Sequence, residues 1–136
     1  MKEKYRIVSH TADLQIEVFG DSKEALFKNA LFGMFDAIKP RYSSGPTKSF
    51  EINVTAGSAE LLLVEFLSEA LYLSDVHSVA FEKMDIQLLS DIALKATLYG
   101  KPCQGFEVVE IKAVTYHDIS IIERDGQWVA TIVFDI

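Results

Sequence analysis

Three polar groups stand where the chain would otherwise need only a turn. His10-Thr11-Ala12-Asp13 lies between Tyr5-Arg6-Ile7-Val8 and Leu14-Gln15-Ile16-Glu17-Val18; Tyr5, Ile7 and Val8 make the first run β-prone, and the second has the two-residue period of a half-buried strand. An ordinary connection uses Gly, Asn or Asp-Gly chemistry. This one carries an imidazole, a hydroxyl and a carboxylate. Either Thr11 and Asp13 bond nearby backbone and shape a turn, or the segment is a site. A second carboxylate, Asp135, precedes the final residue, Ile136, whose terminal carboxylate adds further anionic oxygens. Such donors suit a hard cation, Ca²⁺ or Mg²⁺; a solvated terminus is the plain alternative. The third group is Lys112-Ala113-Val114-Thr115-Tyr116-His117. A regular strand turns Lys112 and Tyr116 to one face and Thr115 and His117 to the other. Solvation would account for Lys112 equally well, and backbone bonding for His117. His10, His117 and Asp13 could also form a metal site or a general-base pair. No H-x-x-x-H spacing, outstanding Ser or Cys nucleophile, or Gly-rich phosphate loop supports that enzyme reading.

The elements that must position these groups follow from apolar spacing. Asp21 and Glu24 have the spacing of a capping box, and helical periodicity runs from Ala25 to Ile38. Pro40 stops that helix, and the stretch from Arg41 to Lys48 reads as a surface loop. Phe50 to Thr55 is expected to be a strand. Ser58 then caps a helix running from Ala59 to Leu71, apolar except for Glu60, Glu65 and Glu69, the pattern of a largely buried central helix. From Val79 onward the chain is almost all β, broken at Gly100-Lys101-Pro102. Val108 to His117, Ile119 to Glu123 and Trp128 to Phe134 are the expected later strands. Asp125-Gly126 is a strong two-residue hairpin turn. The sum is an α+β fold, two helices packed on a largely antiparallel or mixed β-sheet, in a two-layer single domain over residues 1–136.

The hairpin also predicts a register. Arg124 opposite Gln127 puts Ile119, Ile121, Ala130, Ile132 and Phe134 on one apolar face. Continued past Asp118, the same register sets Asp135 opposite Tyr116, unless a bulge at His117-Asp118 shifts it.

Composition narrows the partners. With 20 acidic against 13 basic residues the net charge is −7, which argues against gripping nucleic acid through its phosphates and favours cations or basic protein partners. Cys103 is the single cysteine, so neither an intramolecular disulfide nor a cysteine zinc cluster can form, and its flanks carry no activating charge. No signal-peptide core precedes Tyr5, and no apolar run approaches the roughly 20 residues of a membrane span. A cytoplasmic protein without membrane contact is expected.

In sum, His10-Thr11-Ala12-Asp13 followed by Leu14-Gln15-Ile16-Glu17-Val18-Phe19-Gly20 resembles the N-terminal signature of the archease family. Leu61-Leu62-Leu63-Val64 resembles the start of that family's central helix, Ile111-Lys112-Ala113-Val114-Thr115-Tyr116-His117 its internal motif, and Trp128 to Asp135-Ile136 its C-terminal strand. The resemblance implies an accessory protein with no accepted reaction of its own. It would activate the RNA-splicing ligase that seals tRNA halves bearing a 2′,3′-cyclic phosphate and a 5′-hydroxyl, promoting guanylylation of that ligase and its multiple turnover. It also implies that Asp13, Asp135 and Ile136, the last through its backbone or terminal carboxylate, hold a divalent cation at an acidic tip. Lys112 is the further functional residue that it implies. His10, Thr115 and His117 are the remaining candidate partner-facing positions, with His10 bracing the turn. The stretch from Lys101 to Glu110 departs from the family pattern, with Cys103, Gly105 and Phe106 where more charged side chains are expected. The alternatives are a stand-alone metal-dependent hydrolase or phosphoesterase using His10, His117 and Asp13, and a chaperone-like modulator of RNA-modifying enzymes, which would need a broad exposed apolar patch.

Overall fold

Alternating apolar and polar side chains build the first layer. In the computed structural model, which describes residues 3–9 and 13–136, strand β1 (Tyr5–Ser9) pairs antiparallel with β2 (Asp13–Gly20). Leu14, Ile16 and Val18 are buried, while Gln15, Glu17 and Phe19 between them are half-buried. The two-residue period thus lays one face of β2 on the core.

Helix α1 (Lys23–Ile38) begins at Ser22, whose hydroxyl accepts from the Ala25 amide at 3.1 Å. The expected capping box from Asp21 is therefore corrected by one residue: Ser22 has the extended backbone and the three-residue reach of a serine cap. The helix ends as expected before Pro40. Lys39 takes a left-handed conformation (φ 57°) and its amide returns to the Phe35 carbonyl at 3.1 Å. Pro40 opens a short strand, β3 (Pro40–Tyr42), inside the expected loop, and β4 (Lys48–Thr55) follows. Ser58 caps α2 (Ala59–His77), accepting from the Leu61 amide at 3.2 Å. The helix continues beyond Leu71 to His77, and Leu62, Leu63, Val64, Phe66, Leu67 and Ala70 are all buried. Burial around most of its circumference matches its role as the central helix.

Strand β5 (Val79–Leu89) pairs with the long β6 (Ala93–Phe106), which does not break at Gly100-Lys101-Pro102 as expected. A Cβ at Gly100 would lie 3.0 Å from the Val79 Cβ and 3.1 Å from the Phe81 ring. Glycine there makes room for side chains within the sheet and does not turn the chain. Cys103 is buried in β6, and burial pushes its thiol above the ordinary range, the opposite of an activated nucleophile.

The remaining strands are β7 (Ala113–Val114), β8 (Ser120–Arg124) and β9 (Gln127–Asp135). All pairings are antiparallel, and they form two sheets instead of one. One sheet runs β1-β2-β9-β7 with β8 also on β9; the other gathers β3, β4 and β5 around β6. The α+β class with two helices is as expected. The helices bridge the sheets: α1 touches β1, β2, β9 and β5, and α2 touches β4, β5, β6, β7 and β8. Phe27 of α1 stacks on Phe66 of α2 with ring centroids 5.8 Å apart. Phe35 and Phe81 meet edge to face at 5.9 Å.

A side-chain hydrogen bond ties the edge strand β1 to α1. The Tyr5 hydroxyl donates to the Asp36 carboxylate near the end of α1, and its ring lies across Gly33, where a Cβ would come within 2.9 Å of the Tyr5 Cγ. A glycine in mid-helix lowers helix propensity; here it admits the ring. Burial, the hydrogen bond to Asp36 and the charge of Asp36 push the Tyr5 phenol up to about 12. Because the folded-state value lies above the ordinary 10.0, the contact contributes fully below pH 10 and its contribution is lost as pH rises toward 12. Tyr5→Phe should lower stability at neutral pH by about 1 kcal/mol, a modest value because the pair is partly solvated. It should also flatten the fall in urea midpoint between about pH 10 and pH 12; an unchanged alkaline limb would remove Tyr5 as its source.

Candidate functional site

The core decides which way the acidic groups point. Leu14 and Phe134 are paired across β2 and β9 and are 1% and 0% exposed. Their neighbours Asp13 and Asp135, also paired directly, must then face away from the core. Side chains so opposed have Cβ atoms roughly 4.5–5.5 Å apart. On the other side of β9, Ala113 pairs with Asp135 and Val114 with Phe134. The Lys112 amide donates to the Asp135 carbonyl at 2.7 Å, and Ile136 packs half-buried against the core. Asp13, Lys112 and the Asp135-Ile136 pair, widely separated in sequence, thus converge at one sheet end.

The register there differs from the hairpin extrapolation. Pairing from Arg124–Gln127 to Ser120–Thr131 is as expected, but Ala113, not Tyr116, stands opposite Asp135. The expected strand from Val108 to His117 contracts to Ala113–Val114. A local excursion between β7 and β8 absorbs the difference. The Thr115 amide and hydroxyl both donate to the Val133 carbonyl, at 3.0 and 2.9 Å. The His117 amide donates to the Thr115 hydroxyl at 3.3 Å, and Asp118 takes a left-handed conformation (φ 56°). Asp tolerates that region better than most residues, so the bulge sits where the chain can turn. Tyr116 swings out and donates to Glu65 of α2, and that bond holds its phenol above the ordinary range.

Asp13 and Asp135 are brought together, both exposed and neither with a cationic partner among the described residues. Thr115 builds the excursion. His117 is exposed, with Nε2 3.2 Å from the Asp118 carboxylate. His10 and Thr11 lie outside the described residues. Among the described residues no group of three His, Cys, Asp or Glu side chains is placed to hold a metal. A cation at the sheet end would draw on the two carboxylates and on main-chain oxygens, which is hard-cation chemistry. Like charges directly opposite one another across a ladder are destabilising, and a bound cation would relieve them.

The Lys112 ammonium also has no carboxylate partner among the described residues. Its side chain lines a cleft of about 560 Å³ between the C-terminal half of α2 and residues 106–114, with Tyr72, Asp75 and Glu110 among the walls. None of those three stands out in the sequence: Tyr72 and Asp75 lie beyond the helix end expected at Leu71, and Glu110 lies inside the strand expected from Val108 to His117.

The chain is similar throughout to known proteins. The model of the archease protein family matches residues 5–136. The protein archease of Methanosarcina mazei is 36% identical over 143 residues, covering 98% of this chain and 97% of its own. That of Pyrococcus abyssi is 32% identical, covering 98% and 99%. The solution structure of Methanobacterium thermoautotrophicum protein 1598 superposes with a TM-score of 0.72 at 25% identity over 97% of this chain and 98% of that one. The crystal structure of an archease, described as a possible chaperone, from Thermotoga maritima gives 0.69 at 23% identity, covering 100% and 98%, and shows likeness of fold.

Repulsion between Asp13 and Asp135 makes a stability test available. In chelator, Asp13→Asn or Asp135→Asn should raise stability by about 0.2–1 kcal/mol. Added Ca²⁺ or Mg²⁺ should raise the melting temperature of the wild type and leave that of either variant unchanged. Thermal unfolding followed by circular dichroism measures both; equal cation responses in all three proteins would remove the pair as the site.

Proposed function

The chain belongs to the archease family, and on that premise we propose that it is an accessory protein that activates an RNA-splicing ligase. The observation that carries this reading is the pairing of Asp13 with Asp135 at a sheet end beside Lys112. Asp13 and Asp135 would hold a divalent cation, Ca²⁺ or Mg²⁺, through their carboxylates, and Ile136 through its main-chain oxygen. A cation bound there would supply positive charge for phosphate oxygens of the partner's nucleotide. The chain's own residues do the rest. The β2–β9 ladder holds the two carboxylates at fixed separation, so little ordering is needed when they meet the partner. The Lys112 amide keeps residue 112 against Asp135, and its ammonium, with no carboxylate partner among the described residues, would complement a phosphate. The net charge of −7 favours a basic, RNA-handling protein as the partner over RNA itself.

A chaperone-like role is the second reading, favoured by Tyr72 and Val76, which are 61% and 54% exposed near the end of α2. A ligation assay separates the readings. Wild-type protein, added to the partner ligase with GTP, divalent cation and tRNA halves bearing a 2′,3′-cyclic phosphate, should raise turnover. Asp13→Ala and Asp135→Ala should abolish that stimulation while keeping the fold. Lys112→Ala should weaken it roughly tenfold, as expected for loss of a charge-assisted contact. Full stimulation by both aspartate variants would sink the cation site. No stimulation by the wild type would sink the ligase reading. Phosphoesterase turnover by the purified protein, lost in His10→Ala, would point instead to a hydrolase.

A further inference from the structure

A second surface is built at the opposite end of β2. Tyr5 pairs with Val18, whereas Asp13 begins the same strand, so the two places lie about 17 Å apart along the ladder. Between the end of α1, β3 and the start of β5 is a cleft of about 410 Å³. Its floor is Phe35 and Phe81, 2% and 1% exposed. Tyr5, Phe32 and Tyr42 form its walls, and Tyr42 stays 52% exposed on a three-residue strand. Three carboxylates, Asp36, Glu82 and Glu107, share that lining with a single lysine, Lys39.

The charges are only partly cancelled from within. Lys39 pairs with Asp36 at 2.9 Å and Lys101 reaches Glu82 at 3.3 Å, both on the surface. The Glu107 carboxylate has no cationic partner among the described residues. The negative end of α1 points at the same place, and its last turn holds no basic residue. The phenols agree in sign. Burial first, then the carboxylate charges of Glu82 and Asp36, hold Tyr42 above the ordinary range, and Tyr5 is pushed up to about 12. Burial opposes any charge here, and the carboxylates add a preference for positive over negative.

We propose that this cleft between α1, β3 and β5 binds the guanidinium of an arginine on a basic peptide segment of a partner protein. Aromatic faces beside a carboxylate with no cationic partner among the described residues match that group better than any other side chain: the planar cation stacks on Tyr42 while its fork of N–H donors reaches Glu107. A phosphate or a nucleic-acid backbone would meet the same carboxylates and be repelled. The inference stands apart from the ligase reading, since it needs only a partner with an accessible arginine.

The test is an amide chemical-shift titration at low salt with the peptide Ac-Gly-Arg-Gly-Arg-Gly-NH₂, beside the same peptide carrying citrulline, which keeps the shape and removes the charge. Saturable shifts should concentrate at Tyr5, Phe32, Tyr42 and Glu107 with the arginine peptide only. Tyr42→Ala and Glu107→Gln, both at exposed positions, should each weaken binding roughly five- to tenfold. Glu123→Gln, which removes an equal charge from β8 outside the cleft, should leave it unchanged. The proposal is overturned by equal binding of the citrulline peptide, by shifts spread over acidic residues generally, by full affinity in Tyr42→Ala, or by no saturable shift.

Discussion

The β2–β9 ladder is the constraint on which the rest of this molecule depends. Its inner face is set by Leu14, Ile16 and Val18 against Ala130, Ile132 and Phe134, all buried. Slipping that ladder by one residue would drive Asp13 and Asp135 into the core and bring Leu14 and Phe134 into water. The burial of several large side chains, each contributing about 1.5–3 kcal/mol, far outweighs the mild repulsion of two surface carboxylates. The acidic pair is therefore imposed by hydrophobic pairing and tolerated at the end of the sheet, where solvent screens it.

Charge follows the same logic across the surface. The acidic excess does not form one face. At the sheet end two carboxylates oppose each other beside Lys112. At the end of α1, three carboxylates border aromatic rings, and two of them are already engaged by lysines. The first arrangement offers oxygen donors to a hard cation; the second offers flat faces and carboxylates to an organic one. One contact, Tyr5 to Asp36, anchors β1 and shapes the second of these surfaces.

Much of the fold was legible because it depends on local spacing. The hairpin at Asp125-Gly126, the stop before Pro40, the Ser58 cap and the alternation of β2 each need only a few neighbouring residues. Structure departs from expectation where local signals compete or are overruled. Asp21 and Ser22 both suit a cap, and backbone geometry selects Ser22. Gly100 and Pro102 look like a break, yet the first accommodates Val79 and Phe81, and the carbonyl of the second accepts from the Ser43 amide at 2.9 Å. The division of strands into two sheets could not be read, because a period of two says which face is apolar and not which helix covers it.

The residue pattern alone carried the class of the fold, the inward face of each regular strand and the presence of an acidic residue at the start of β2 and another at the end of β9. Those follow from side-chain periodicity and turn chemistry, which act over a few residues. Tertiary structure alone decided the meeting of Asp13 and Asp135 beside Lys112. It also put Ala113 in the place expected for Tyr116, through the excursion at Thr115 to Asp118, and it assembled a cleft from residues 5 to 107. Pairing between distant segments is fixed by the burial of whole faces against two shared helices, a property of the closed core that no short stretch of the chain carries.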